Sequence, residues 1–340
     1  MKVLVTGCCG FIGSNFIRYI LNKHEDYRIV NLDKLTYAGN LENLKDIEDD
    51  LRYEFVRGDI ADEAFVSELF KKHADDRFDA VVNFAAESHV DRSIMGGDEF
   101  IRTNIEGTHV LLKNAMHFEA PRFVQISTDE VYGTLKPDEP AFTEETPLAP
   151  NSIYSASKAA ADMLARAYFK THGYCTLVTR CSNNYGPYQF PEKLIPLFVS
   201  NLLHDKEVPV YGDGMQIRDW IYVDDHSEAI DLVLRKGTPG EVYNIGAENE
   251  IANIQLTKML LKQLGKPESL IKYVKDRPGH DRRYAMNSGK IQRELGWKAQ
   301  VDFESGLERT IKWYIENREW WERIKTGEYL KYYEKWYGNR

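Results

Sequence analysis

Short apolar runs recur along the chain between longer amphipathic stretches: 2–6, 28–33, 53–56, 79–85, 122–127 and 176–180. Each is apolar at consecutive rather than alternate positions, as in strands covered by helices on both faces, and the rhythm reads as βαβ units. The pattern predicts an α/β fold with a Rossmann-like, doubly wound parallel sheet and right-handed crossovers. After Gly186 the rhythm breaks into loops rich in Pro, Gly and aromatics, and a smaller α/β substrate-binding part begins. The run 242–246 resembles a strand returning to the main sheet, so the second part is expected to be discontinuous. The predicted division is 1–186 and 224–250 for the dinucleotide unit and 187–223 and 251–340 for the other. From Trp297 onward the chain holds five of its six tryptophans, read as helices with aromatic packing faces.

With 340 residues, 43% hydrophobic and 29% charged, the chain has the composition of an ordered globular protein with a large core. It starts directly in a strand pattern without a signal-peptide pattern, and no run approaches the roughly 20 apolar residues of a membrane span, so a cytoplasmic location without membrane association is expected. The formal charge of −9 disfavours nucleic-acid binding. An anionic small molecule remains compatible, because Lys193, Arg218, Arg277, Arg282 and Arg283 offer local cations. Cys8, Cys9, Cys175 and Cys181 lack zinc-ligand spacing, and neither a disulfide framework nor a metal site is expected.

Gly7, Gly10 and Gly13 follow the first predicted strand and precede the apolar-periodic segment 16–21. Glycine there permits a tight turn and close backbone approach, while the helix start directs free amides toward a pyrophosphate. Asp33, at the end of the second strand, can accept hydrogen bonds from ribose hydroxyls and repel a 2′-phosphate, favouring NAD over NADP; Lys34 beside it partly offsets that repulsion. Cys8 and Cys9 are read as tolerated small residues; their place beside the electropositive helix start adds the hypothesis that a lowered thiol pKa makes one of them oxidation-sensitive. Tyr154 and Lys158, four residues apart, share one helix face, and the cation is expected to lower the phenol toward neutrality. Upstream, a buried strand ends in Ser127-Thr128-Asp129-Glu130, at the edge of a parallel sheet where ligands bind.

In order and spacing, the glycine turn, Ser127-Thr128 and Tyr154/Lys158 resemble the extended short-chain dehydrogenases, the NAD-dependent epimerase/dehydratase family. The adjacent Asp129-Glu130 pair resembles that family's dehydratase branch, where two carboxyls divide proton removal and proton donation. The resemblance implies NAD as cofactor and dTDP-glucose as the nucleotide-sugar substrate. Tyr154 is implied as the base at C4 with Thr128 beside it, Lys158 as holding the nicotinamide ribose, Glu130 as the base at C5 and Asp129 as the acid at C6. It places Phe11, Ile12, Leu35, Thr36, Asp59 and Ile60 against the cofactor, together with Phe84, Ala85, Ala86, Ser88, Thr103 and Asn184. Ser88, His89 and Asn183 are implied near the sugar or diphosphate, and Lys193, Leu194, Arg218, Arg277 and His280 belong to nucleotide-binding segments. Pro209 and Tyr211 are implied near the base, and Asn253 at the nucleotide. Cys8 and Cys9 stand where the family more often has Gly and Ala, and Ile153 where relatives often have proline, which predicts a less rigid turn before Tyr154. A homodimer through 99–118 and 154–171 is also implied. A 4-epimerase, a decarboxylase or another nucleotide-sugar dehydratase shares the same opening chemistry, and a non-catalytic NAD-binding regulator is the reading from a different class.

Overall fold

The structure is a computed structural model that describes residues 1–326; Trp336 and the stretch 327–340 of the expected second part lie outside the described residues. In chain order the strands are β1 (Lys2–Thr6), β2 (Arg28–Asp33), β3 (Tyr53–Arg57), β4 (Ala80–Asn83), β5 (Phe123–Thr128), β6 (Thr176–Cys181), β7 (Asn183–Tyr185), β8 (Val208–Tyr211), β9 (Ile217–Tyr222), β10 (Val242–Ile245), β11 (Glu250–Ala252) and β12 (Ile271–Val274). Seven form one sheet in the order β10-β6-β5-β4-β1-β2-β3, parallel at every pairing. The order reverses between β1 and β4, which opens a crevice at the carboxyl ends of these strands.

Alternation inside the apolar runs explains the two-sided burial. Val3, Val5, Ile29, Val82 and Val124 pack into one core with Phe16, Ile17 and Ile20 of the first helix, Phe11–Lys23. Leu4, Val30, Leu32, Val81 and Phe123 enter a second core on the opposite face with Leu111, Leu112 and Phe70. The expected strand 79–85 is shorter, because after Asn83 the chain turns over the end of β1, with the Phe84 amide donating to the Thr6 carbonyl at 3.1 Å.

The remaining strands make a mixed sheet β11-β9-β7 and a parallel pair β12-β8. A third core lies beneath them, where Tyr185, Phe198, Trp220 and Phe303 meet Tyr314, Trp320 and Trp321. The aromatic faces expected after Trp297 therefore pack inward through residue 321, and Trp320 Nε1 donates to Asn43 Oδ1 at 2.9 Å beside the first helix. No helix among the described residues is long and apolar enough to cross a membrane.

The long helix Ile153–His172 crosses β5 and β6 and is tied to them by a buried ion pair, Arg180 Nε to Asp162 Oδ2 at 2.9 Å. Arg180 also donates to Tyr132 Oη at 2.8 Å, and that phenol donates to Asn244 Oδ1 at 2.7 Å, which extends the tie to β10. Asp162→Ala leaves the guanidinium buried without its carboxylate and is expected to cost about 3–5 kcal/mol in chemical denaturation. Replacing both partners by Leu and Met returns most of that loss. A single-variant cost below about 1 kcal/mol shows that the pair does not anchor the helix.

Candidate active site

Gly7 has φ +72°, and a Cβ there would lie 2.5 Å from the Ala85 Cα, so the loops after β1 and β4 touch. A Cβ at Gly13 would lie 2.5 Å from Cys8 Sγ. Gly10 precedes the first helix without a side-chain cap, which leaves first-turn amides for a ligand. Gly7, Gly10, Phe11, Ile12 and Gly13 line a cleft with Asp33, Lys34, Thr36, Asp59 and Ile60 on one side and Phe84, Ala85, Ala86, Ser88 and Thr103 on another. A cradle that excludes side chains, with a carboxylate at the end of the second strand, fits a dinucleotide.

Asp33 Oδ2 accepts from the Cys9 amide at 2.8 Å and Oδ1 from the Leu35 amide at 2.7 Å, which fixes the carboxyl at the cleft wall. The Lys34 ammonium is directed to Asp59 at 3.0 Å and Glu99 at 3.8 Å, so the offset it gives to Asp33 is shared with two other carboxylates. One expectation and one hypothesis fail here. Leu35, with φ +56°, packs against the core beneath the cleft and does not line it; its contribution is the amide that holds Asp33. Cys8 and Cys9 are not activated thiols: both are buried, and desolvation with the nearby Asp33 carboxylate pushes their pKa values up. The helix start is outweighed because these side chains point into the core.

The same cleft continues past Ile126, Ser127, Thr128, Asp129 and Glu130 to Tyr154, Lys158 and Cys181. Ser152 caps the helix Ile153–His172 and Ser155 returns the bond, a capping box that fixes the turn before Tyr154 despite Ile153 in place of proline. Lys158 Nζ donates to the Ile126 carbonyl at 2.5 Å. Burial pushes its pKa down to about 8, opposed by Asp162 and Cys181. The expected lowering of the Tyr154 pKa is not seen. Burial, with Glu130 and Cys181 nearby, holds the phenol well above its usual range, and a hydrogen bond with Thr128 opposes this only in part.

Asp129 and Glu130 are adjacent but differently surrounded. Asp129 is buried, its Oδ1 accepts from Thr128 Oγ1 at 3.1 Å, and its Oδ2 has no protein partner. Desolvation and the Glu130 charge raise its pKa well above the carboxylate range, which favours the protonated acid. Glu130 is also raised by burial, but Arg277, Lys193 and Arg218 pull it back toward carboxylate.

Glu130, Asn183, Asn184 and Lys193 are shared with a second chamber, walled by His89, Leu194, Pro209, Tyr211, Arg218, Asn253, Arg277 and His280. Arg277 Nη1 pairs with Asp91 at 3.2 Å, and its buried Nε has no protein partner. Arg218 stacks on Tyr284 at 4.2 Å, and Lys193 Nζ donates to the Ser88 carbonyl at 2.9 Å. Three cations around one chamber suit a diphosphate. Burial and the surrounding cations hold His89 well below its usual pKa, and burial with Arg277 and Arg218 lowers His280 to about 3 against the opposing pull of Asp276 at 2.6 Å. Arg282 and Arg283 do not join the site: they are paired at the surface with Asp213 at 2.8 Å and Glu250 at 2.6 Å. Among the described residues no cluster of His, Cys, Asp and Glu is arranged to hold a metal.

Sequence reasoning did not single out Tyr37, Glu87, Gln189, Phe190 and Glu192 in the cleft, or Asp91 at the chamber. Asp91 follows the assigned Ser88 and His89, and Glu192 precedes the assigned Lys193; an acid beside an assigned residue was the available signal.

A parallel sheet with a glycine turn at its crevice, a Tyr/Lys pair and a basic chamber alongside define an enzyme of the dinucleotide-dependent, extended short-chain dehydrogenase class. The family model described as GDP-mannose 4,6 dehydratase matches residues 4–310. The chain is 51% identical to a dTDP-glucose 4,6-dehydratase of Escherichia coli over 97% of this chain and 98% of that one. Among solved structures, the dTDP-glucose 4,6-dehydratase DesIV of Streptomyces venezuelae, with NAD and TYD bound, superposes with a TM-score of 0.91 at 51% identity, covering 96% of this chain and 100% of its own. That of Bacillus anthracis, in complex with NAD, gives 0.88 at 50% identity over 96% and 100%. The chain belongs to the NAD-dependent epimerase/dehydratase family, among its dTDP-glucose 4,6-dehydratases.

Proposed function

We propose that this chain converts dTDP-glucose to dTDP-4-keto-6-deoxyglucose and water, as an NAD-dependent hydro-lyase. The observation that carries the reading is the acid pair: Asp129 and Glu130 open on the cleft that holds Tyr154, yet burial favours a proton on the first and three cations favour charge on the second. Bound NAD supplies a hydride acceptor for C4, the donor for C6 and a positive ring near the Tyr154 phenol. Tyr154 takes the C4 hydroxyl proton, with Thr128 hydrogen-bonded to the same oxygen and Lys158 at the ribose. The resulting ketone acidifies the C5 proton, which Glu130 removes. Asp129 gives its proton to the C6 hydroxyl, the C6–O bond breaks and water leaves. Glu130 then returns its proton to C5 as C6 is reduced, so the carbon skeleton ends as the 4-keto-6-deoxy sugar.

Arg218, Arg277 and Lys193 hold the diphosphate, Pro209 and Tyr211 face the base, and Asn253 meets the nucleotide. Asn183, Ser88 and His89 border the sugar, and Asn184 stands toward the nicotinamide. Residues 1–186 and 224–250 form the cofactor unit, and the other segments form the substrate unit. The enzyme works in the cytoplasm as a homodimer through 99–118 and 154–171, where Ile101 and Met163, with Ile153 beside the second segment, are exposed apolar positions.

A 4-epimerase needs no acid pair, because it returns hydride to C4 without losing water. Purified protein incubated with dTDP-glucose is expected to give the 4-keto-6-deoxy product by NMR. Formation of dTDP-galactose, or binding without turnover, overturns the assignment.

A further inference from the structure

Tyr37, from the segment after β2, sits under the Arg92 guanidinium at 3.8 Å from its ring centroid, and its ring meets Phe190 edge-on at 5.6 Å. Arg92 in turn reaches Glu192 Oε2 through Nε at 3.1 Å and Nη2 at 3.0 Å, a forked pair to a buried carboxylate. Three separate segments thus meet: the loop after β2, the short helix Val90–Met95 after β4 and the loop after β7. Tyr37, Phe190 and Glu192 all line the cofactor cleft, and Glu192 lines the substrate chamber as well.

The β2 segment is itself stitched over the glycine turn. The Asn40 amide donates to the Cys9 carbonyl at 3.0 Å, and Asn43 Nδ2 donates to the same oxygen at 2.8 Å. Burial, with the nearby Glu192 and Glu87 carboxylates, keeps the Tyr37 phenol protonated and able to donate to Glu192. Cation–π stacking and a desolvated forked pair are each worth more here than at an open surface.

From this junction we infer that Tyr37, Arg92 and Glu192 form a latch across the cofactor cleft that keeps the dinucleotide bound through the whole cycle. The inference rests on the proposed dehydration, in which the hydride taken from C4 must return to C6 of the same molecule. A cofactor that left midway would strand the oxidised sugar. The three residues act through the cleft wall, as positioning residues.

The test is cofactor retention. Wild type, Tyr37→Ala and Arg92→Leu are loaded with radiolabelled NAD, chased with excess unlabelled NAD, and the label remaining on protein is followed by rapid filtration. The dissociation rate is expected to rise about tenfold or more in each variant, and by no more in the double variant, because one contact joins the two residues; tenfold is 1.4 kcal/mol of retention. Arg235→Leu is the control. That arginine makes a forked pair with the buried Asp231 carboxylate at 2.9 Å and 2.8 Å, a like arrangement that lines neither the cleft nor the chamber, and it should leave the rate unchanged. Arg92→Lys, which keeps the charge but not the fork, should fall between wild type and Arg92→Leu. Rates within twofold of wild type in both latch variants, or an equal rise in the Arg235 control, overturn the latch. Failure of the wild type to make the 4-keto-6-deoxy product, with NAD still retained, instead counts against the dehydratase reading.

Discussion

Tyr154→Phe is expected to lower kcat with dTDP-glucose by about 10²–10⁴-fold while leaving KM within a few-fold. The ring belongs to a small apolar cluster with Val90 and Phe100, meeting Phe100 edge-on at 6.4 Å, and phenylalanine preserves that packing. What is lost is the oxygen that, in the proposed mechanism, accepts the C4 hydroxyl proton. Because the phenol is held high by burial and Glu130, its ionisation depends on cations brought close to it. Lys158, one turn along the helix, is the chain's own contribution. Its pKa lies near 8, so the ammonium is lost as pH rises through that value, and kcat/KM should fall on the alkaline side. Steady-state kinetics and thermal unfolding separate the possibilities. Turnover within threefold of wild type removes Tyr154 from the chemistry, and a large loss of stability shows that the hydroxyl is structural.

The parts of the site legible from sequence are those where local pattern and chemistry coincide. The glycine turn reads out because a missing Cβ is a local requirement, and the close approach of Gly7 to Ala85 shows why. Strands β1 and β2 were legible to the residue because two-sided burial leaves their interiors apolar except for Asn31. Thr128, Asp129 and Glu130 lie together at the end of β5, so one strand boundary places all three.

Electrostatics was less legible, because it depends on which way side chains turn. The helix start beside Cys8 and Cys9 left a reactive thiol open as a hypothesis beside the reading of tolerated small residues, and both point into the core beside Asp33. Four-residue spacing put Lys158 on the Tyr154 face, yet its ammonium is bound to the Ile126 carbonyl, and desolvation governs the phenol. Arg282 and Arg283 follow the same segment as Arg277 but turn outward to Asp213 and Glu250. The Tyr37–Arg92–Glu192 junction was invisible for another reason: its members are 55 and 100 residues apart in sequence, and no short-range spacing connects them.

Glu130→Gln and Asp129→Asn are expected to stop the reaction at different points, each lowering turnover by about 10²–10⁴-fold. Gln at 130 keeps size and hydrogen bonding but cannot take the C5 proton. Oxidation at C4 still proceeds, so reduced cofactor accumulates on the enzyme, and wash-in of solvent deuterium at C5 is lost. Asn at 129 cannot supply the proton that turns the C6 hydroxyl into water. There C5 exchange persists while elimination is blocked, and the 4-keto hexose is the species trapped. The asymmetry follows from the surroundings: Arg277, Lys193 and Arg218 favour the carboxylate at 130, whereas burial and the charge of Glu130 favour the acid at 129. It also predicts that Arg277→Met raises the Glu130 pKa further, leaving less of it as the carboxylate, and weakens diphosphate binding, raising KM and lowering C5 exchange together. Deuterium wash-in and cofactor absorbance, read in one experiment, decide the matter. Wild-type C5 exchange in Glu130→Gln, or the same blocked step in both variants, shows that the two carboxyls do not divide the work this way.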